Sequence, residues 1–240
     1  MLTSPLRRGL LLLPLAVLTV GCIPLAGVPQ TARPLGKGVS SHTTSAMVVT
    51  YEDKSDDGSI TERLTFPAVE YAYRIGVTDD LDVGARITMG GLGIEAKWRF
   101  LHTGTLHLAV APDLGYVPLG TVGGYWSTLP VIATVDLADN LSVNAGVFLR
   151  GAQFDNVDPD STSSFSGRLG GVGGALGLEL RGEVFAIRPT LEAIHYETVS
   201  DGEGGAFNLF LVSIHFERIS GREKQQLNRI ENKLDQVIAK

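Results

Sequence analysis

At 240 residues the chain fills one large or two small domains, and 44% hydrophobic against 19% charged residues excludes a disordered polymer. Twenty Lys and Arg against 26 Asp and Glu give a net charge of -6 with no basic cluster, which argues against nucleic acid as a partner. The single cysteine, Cys22, excludes an internal disulfide and cysteine-built zinc or iron-sulfur cages, and 29 glycines without a collagen period suit tightly curved strands and turns.

The N-terminus reads as an address. Arg7 and Arg8 precede an apolar run from Leu10 to Val20 that only Pro14 and Thr19 interrupt. That run is too short to cross about 30 Å of hydrocarbon, so it is a secretory signal and not a spanning helix. Its end, Leu18-Thr19-Val20-Gly21-Cys22, resembles the bacterial lipobox, departing from it at Thr19, where Leu is commonest. The resemblance implies that residues 1–21 are a lipoprotein signal peptide and that Cys22 carries a covalent lipid such as palmitate. It also implies outer-membrane sorting, because Ile23 and not an acid follows the cysteine. Residues 22–40, with Pro24, Pro29 and Pro34 among small residues, read as the lipidated tether.

From residue 41 to 218 the chain is written in period two. The segments are 41–52, 65–77, 81–90, 92–100, 105–116, 123–137, 141–151, 168–181, 184–196 and 206–218. In 81–90 every odd position (Leu81, Val83, Ala85, Ile87, Met89) is apolar and every even one polar or glycine; in 92–100 the faces are Leu92, Ile94, Ala96, Trp98, Phe100 against Gly93, Glu95, Lys97, Arg99. Tight links at 78–80, 102–104, 138–140 and 182–183 alternate with longer ones around 53–62, 117–124, 155–167 and 198–205, with short Gly90-Gly91 as the exception. Stretch 74–84, strand, tight turn and strand, resembles the repeating unit of bacterial outer-membrane β-barrel proteins. The resemblance implies an all-β, antiparallel, up-and-down transmembrane barrel of about ten strands, with both ends of the chain in the periplasm. Four prolines inside the segments, Pro67, Pro112, Pro130 and Pro189, count against a closed sheet. They keep open a soluble periplasmic lipoprotein whose barrel or sandwich, apolar face inward, binds a small apolar ligand.

In the transmembrane arrangement the charged face lines the lumen. The ion-pair candidates are Glu70, Arg74, Arg86, Glu95, Lys97, Arg99, Asp113, Arg150, Arg188 and Glu192, joined by Asp82, Asp136, Glu179, Arg181 and Glu217. Acids and bases nearly balance, which predicts a plug of ion pairs more than a wide ion-selective pore. The glycine-rich stretch 170–177 continues as strand and offers no helix N-terminus to a phosphate, so its small residues serve curvature or close packing. His42, His102, His107, His195 and His215 show no zinc spacing, and Glu192 and His195 differ in parity and so point to opposite faces. No catalytic motif emerges, and the chain reads as a non-enzyme with an envelope-structural, surface-binding or narrow-channel role. Acids gather in the long links: Glu52, Asp53, Asp56, Asp57, then Asp155, Asp158, Asp160, then Asp201 and Glu203. Clustered carboxylates suit weakly bound divalent cations, with Asp155, Asp158 and Asp160 as rim candidates, although the EF-hand spacing is missing. Beyond residue 218 the period changes. Leu227, Ile230, Leu234 and Val237 form an a/d seam, predicting an amphipathic helix in 219–240 that packs on the periplasmic rim, joins a periplasmic partner or self-associates weakly.

Overall fold

The computed structural model describes residues 30–54, 60–119, 122–156, 166–198 and 205–221. Cys22, Asp158, Asp160 and the predicted helix with Leu227, Ile230, Leu234 and Val237 lie outside the described residues. The elements are β1 (Ser40–Lys54), β2 (Ile60–Gly76), β3 (Leu81–Thr88), β4 (Gly91–Thr103), β5 (Leu106–Val110), β6 (Asp113–Leu119), β7 (Val122–Ala138), β8 (Leu141–Asn156), β9 (Ser166–Arg181), β10 (Phe185–Thr198) and β11 (Ala206–Ser220). Neighbours in sequence pair antiparallel, and β1 pairs with β11 from Ser40↔Ser220 to Lys54↔Ala206, closing the sheet. Because β5 and β6 are successive halves of one stave between β4 and β7, the result is a closed antiparallel barrel of ten strands. Closure pairs the backbone around the full circumference of the barrel between Glu70 and Gly76 of β2, and only the part of β2 before Glu70 projects past the end of β3.

Four short links, β2 to β3, β4 to β5, β7 to β8 and β9 to β10, share one rim with both ends of the barrel domain, Ser40 and Ser220, here called the short-turn rim; the β3 to β4 and β6 to β7 links are short too but lie on the other rim. Two details differ from the sequence reading. The stave expected as one strand over 105–116 lapses at Ala111-Pro112, and the long link expected at 117–124 is a tight one, since Leu119 already pairs with Val122.

Each proline sits where a missing N–H does little harm. At Pro67, β2 has no β3 neighbour, because β3 ends at Thr88 opposite Glu70. Pro112 and Pro130 meet at the lapse between β5 and β6, where the Ala96 N–H donates to the Pro112 carbonyl and the Ala111 N–H to the Pro130 carbonyl, both at 3.0 Å. Pro189 coincides with a gap in the β9 ladder, which skips from Ile187↔Leu180 to Thr190↔Gly177.

The two faces are inverted relative to a water-soluble protein. Val69, Ile94, Leu129, Val147, Leu149, Val172, Leu176 and Leu191 face outward, while Glu70, Arg74, Asp82, Arg86, Glu95, Lys97, Arg150, Arg188 and Glu192 are buried inside. The soluble arrangement with its apolar face inward is therefore reversed. Aromatic residues flank the outer belt, with Tyr71, Tyr73, Trp98, Phe100 and Phe185 toward the short-turn rim and Tyr116 and Tyr125 toward the other.

Glycine makes room inside for large rings. A methyl on Gly115 would stand 2.0 Å from the Trp126 ring, one on Gly173 2.5 Å from Phe148, and one on Gly171 2.8 Å from Tyr196. Gly171 and Gly173 of β9 thus serve close packing.

Candidate functional site

The lumen divides into a charged chamber toward the short-turn rim and an apolar seal toward the long links. Glu95 is the hub of the chamber: its carboxylate pairs with Arg74 Nε at 2.7 Å and with Arg86, and accepts from Gln30 Nε2 at 2.9 Å. Arg86 also lies 3.9 Å from Glu70 and 4.0 Å from Asp113. Asp113 in turn accepts from Trp126 Nε1 at 2.9 Å, which fixes the ring over its glycines. Nearer the rim Arg188 bridges Glu217 at 2.6 Å and Glu179 at 3.0 Å, and Lys97 pairs with Asp82 at 3.0 Å. His215 is buried between hydroxyls, with Nδ1 2.7 Å from Ser45 Oγ and Nε2 3.0 Å from Ser213 Oγ. Opposite charges this close inside a wall of strands offset the several kcal/mol that each ion loses on leaving water.

Of the candidates read from sequence, Glu70, Arg74, Arg86, Glu95 and Asp113 come together in one network, with Lys97 and Arg188 in adjoining pairs. Arg99 does not join them; it lies at the rim with Asp80 at 2.5 Å. Arg150 is held by hydroxyls, Thr128 at 3.1 Å and Tyr196 at 3.4 Å, and lies over the Phe148 ring. Glu192 is buried on the lumen face of β10 while His195 is exposed outside, so these two share no site. Among the acids of the long links, Glu52 is taken by Arg63 of the neighbouring strand, and Asp155 stands on β8 opposite Gly123 and Ser166. No group of three or more His, Cys, Asp or Glu side chains among the described residues is arranged to hold a metal.

The tether supplies residues that sequence reasoning missed. Gln30 and Thr31 are buried, and the segment from Gln30 to Gly38 runs inside the lumen down to the short-turn rim. The Arg33 guanidinium reaches Asp136 at 2.7 Å, Glu179 at 2.7 Å and Ser142 Oγ at 2.5 Å. Its backbone is gripped too: Lys97 Nζ donates to the Arg33 carbonyl at 2.7 Å, the Ala32 N–H to Thr134 Oγ1 at 2.8 Å and the Leu35 N–H to Asp82 at 3.0 Å. An isolated arginine in a proline- and glycine-rich run was the only trace of this in the sequence.

Above the chamber the lumen is filled by Met47, Val49, Ile132, Phe148, Ile194, Tyr196, Phe207, Leu209 and Leu211, with Tyr196 stacked on Phe207 at 5.0 Å between ring centroids. Trp126, Val117, Ala152 and Phe154 complete the seal. Between chamber and seal, a cavity bounded by Gln30, Ile132, Asn144, Arg188 and Thr190 has about 10 Å³, room for one water at most.

No protein-family model and no curated protein matches the sequence. Solved structures do resemble it. Neisserial surface protein A is 10% identical with a TM-score of 0.40, over 76% of this chain and 99% of that one. The translocator domain of autotransporter NalP from Neisseria meningitidis is 11% identical with a TM-score of 0.43, over 88% and 95%. Ail, the attachment invasion locus protein of Yersinia pestis, is 12% identical with a TM-score of 0.33, over 75% and 99%. All three scores lie under 0.5, and the fold rests on the strand pairings of this chain.

Proposed function

We propose that this chain is a closed, non-enzymatic barrel of the bacterial outer membrane, anchored by a lipid on Cys22, whose role is envelope-structural and surface-binding rather than conductive. The observation that carries the reading is the filled lumen, with its charged chamber strapped by residues 30–38 and its apolar seal built from Phe148, Tyr196, Phe207 and Trp126. A conducting pore needs a continuous wet path, and every stage of this one is occupied by side chains. Membrane placement is supported by the outward apolar belt with aromatic residues toward both rims, which only a hydrocarbon solvent rewards at this scale. The lipobox-like Cys22 supports the anchor. The acids of the long links supply the surface-binding side, with weakly held divalent cations as their ligands, and the a/d seam of the C-terminal tail supplies a periplasmic contact.

Purified protein reconstituted in a planar bilayer tests this. The expected result is a silent membrane at physiological salt; a sustained unitary conductance contradicts it.

A further inference from the structure

A row of outward-facing residues crosses the barrel wall along the pairings Phe185↔Arg218, Arg218↔His42, His42↔Tyr73, Tyr73↔Ala85, Ala85↔Ile94 and Ile94↔Leu114. The strands tilt, so this row climbs from the short-turn rim into the belt. Arg218 and His42 each lie two residues from a strand end at that rim, Tyr73 three, Ala85 four and Ile94 nine. Phe185 stands at the foot of the row, Arg218 and His42 form a polar step directly beside it, and the high end is apolar.

At the low end, His42 is locked in place: its Nδ1 lies 2.6 Å from the Tyr71 hydroxyl and its ring 5.0 Å from that of Tyr73. Arg218, directly across from it on β11, is exposed, and no described carboxylate holds it in an ion pair. At the high end the wall is indented. Ala85 and Ala96 are small where Tyr73, Ile75, Ile94 and Leu114 are large, and together with Val83 and Pro112 they line a groove of about 560 Å³ on the outer face. Tyr73 belongs to both features, so the polar cluster opens directly into the apolar groove.

We propose that this surface is a binding site for one anionic glycerophospholipid of the periplasmic leaflet, its phosphate against Arg218 and His42 and one acyl chain in the groove over Ala85 and Ala96. The occupant follows from the order of the chemistries. A cation that no described carboxylate pairs, at headgroup level and joined by a tyrosine to an apolar slot that rises toward the bilayer centre, matches an amphiphile with an anionic head and a single direction of insertion. The groove is within the range of ligand sites by volume. Its wall is built of strand positions fixed by backbone pairing, so the slot is preformed. The site presupposes the bilayer placement proposed above, and does not depend on whether the lumen conducts.

The full-length mature protein in nanodiscs of phosphatidylcholine doped with phosphatidylglycerol, with retained lipid read by native mass spectrometry, tests the assignment. Arg218→Gln should lower retained phosphatidylglycerol about fivefold, the equivalent of ~1 kcal/mol for one basic group at an anionic surface. Ala96→Phe, which fills the slot and leaves every charge in place, should lower it comparably, whereas Arg168→Gln, outward-facing toward the opposite rim, should not. All three positions lie on the outer wall, and heat-modifiable migration shows that each variant is folded. Soluble glycerol phosphate should fail to compete. Retention unchanged in either Arg218→Gln or Ala96→Phe overturns the proposal, as does effective competition by glycerol phosphate, which would mark a simple anion site. Failure of the wild type to enter nanodiscs would overturn the membrane placement instead.

Discussion

Glu95→Gln isolates what the charged chamber contributes, because the amide keeps the shape of the side chain and removes only its charge. Two arginines depend on that charge, Arg74 at 2.7 Å and Arg86 in direct contact, and all three groups are buried. Near 4 Å, a pair of unit charges at an effective dielectric of about 20 interacts by ~4 kcal/mol. The loss is softened because Arg86 keeps Glu70 at 3.9 Å and Asp113 at 4.0 Å, and Arg74 keeps Glu217 at 4.0 Å. The net cost should therefore be about 3 to 5 kcal/mol, the usual result of orphaning a buried charge. That is a large share of the ~5 to 15 kcal/mol by which a domain is stable. Urea unfolding in lipid vesicles, with the folded fraction read by heat-modifiable migration, measures it. Glu95→Gln combined with Arg86→Gln should cost less than the two singles added, by ~1 kcal/mol or more, since each removes the other's orphan. A single-variant loss within about 0.5 kcal/mol of wild type, or strictly additive singles, would refute the reasoning that ion pairing and not mere filling holds the chamber.

Gly115→Ala drives a methyl into the Trp126 ring, which Asp113 holds from the other end, and should cost about 1 to 3 kcal/mol, whereas Gly170→Ala, with open space around it, should cost under about 0.5; equal costs in the same unfolding assay would show that the ring gives way freely. Arg33→Ala removes three contacts of the strap while Glu179 keeps Arg181 and Arg188, so the strap should open locally; a cysteine at buried Thr31 should then react with a water-soluble thiol reagent about tenfold faster, equivalent to ~1.4 kcal/mol of lost closure, and an unchanged rate counts against the strap. Cys22→Ser should abolish incorporation of a fatty-acid label, because the thiol is the only acceptor; labelling that persists shows that the lipobox resemblance misleads.

Strand parity was legible because a pleat has only two faces, and a single charged position fixes the phase of a whole segment. Glu95, Lys97 and Arg99 set β4, and Glu70 and Arg74 set β2. Which carboxylate meets which guanidinium was not legible. The pairing Arg74 to Glu95 crosses from β2 to β4 over β3, and that distance depends on barrel radius and tilt, which alternation does not encode. The apolar seal escaped for a related reason. Val49, Phe148, Tyr196 and Leu209 occupy lumen parity but read as part of an apolar run, because hydropathy cannot tell a greasy lumen residue from a lipid-facing one. The prolines looked like faults until the register placed Pro112 and Pro130 together at the lapse between Val110↔Val131 and Asp113↔Thr128, and Pro67 beyond the end of β3. The strap was hidden most fully, since Gln30 to Gly38 has the composition of a linker and its order comes from side chains on distant strands, Asp82, Glu95, Lys97, Thr134, Asp136, Ser142 and Glu179.

The inversion of faces is most directly tested by Val147→Arg, which puts a charge on the outer wall near the middle of β8, set against Gly146→Arg one residue away on the inner wall. Val147 is 62% exposed, so in water its replacement should change stability by less than about 0.5 kcal/mol. At the midplane of a bilayer the same substitution costs about 2 to 4 kcal/mol. Measured in vesicles for the single variant Val147→Arg, a loss in that range is the predicted result. A loss under about 0.5 kcal/mol in vesicles would mean that the outer belt does not meet lipid, and would contradict the transmembrane reading.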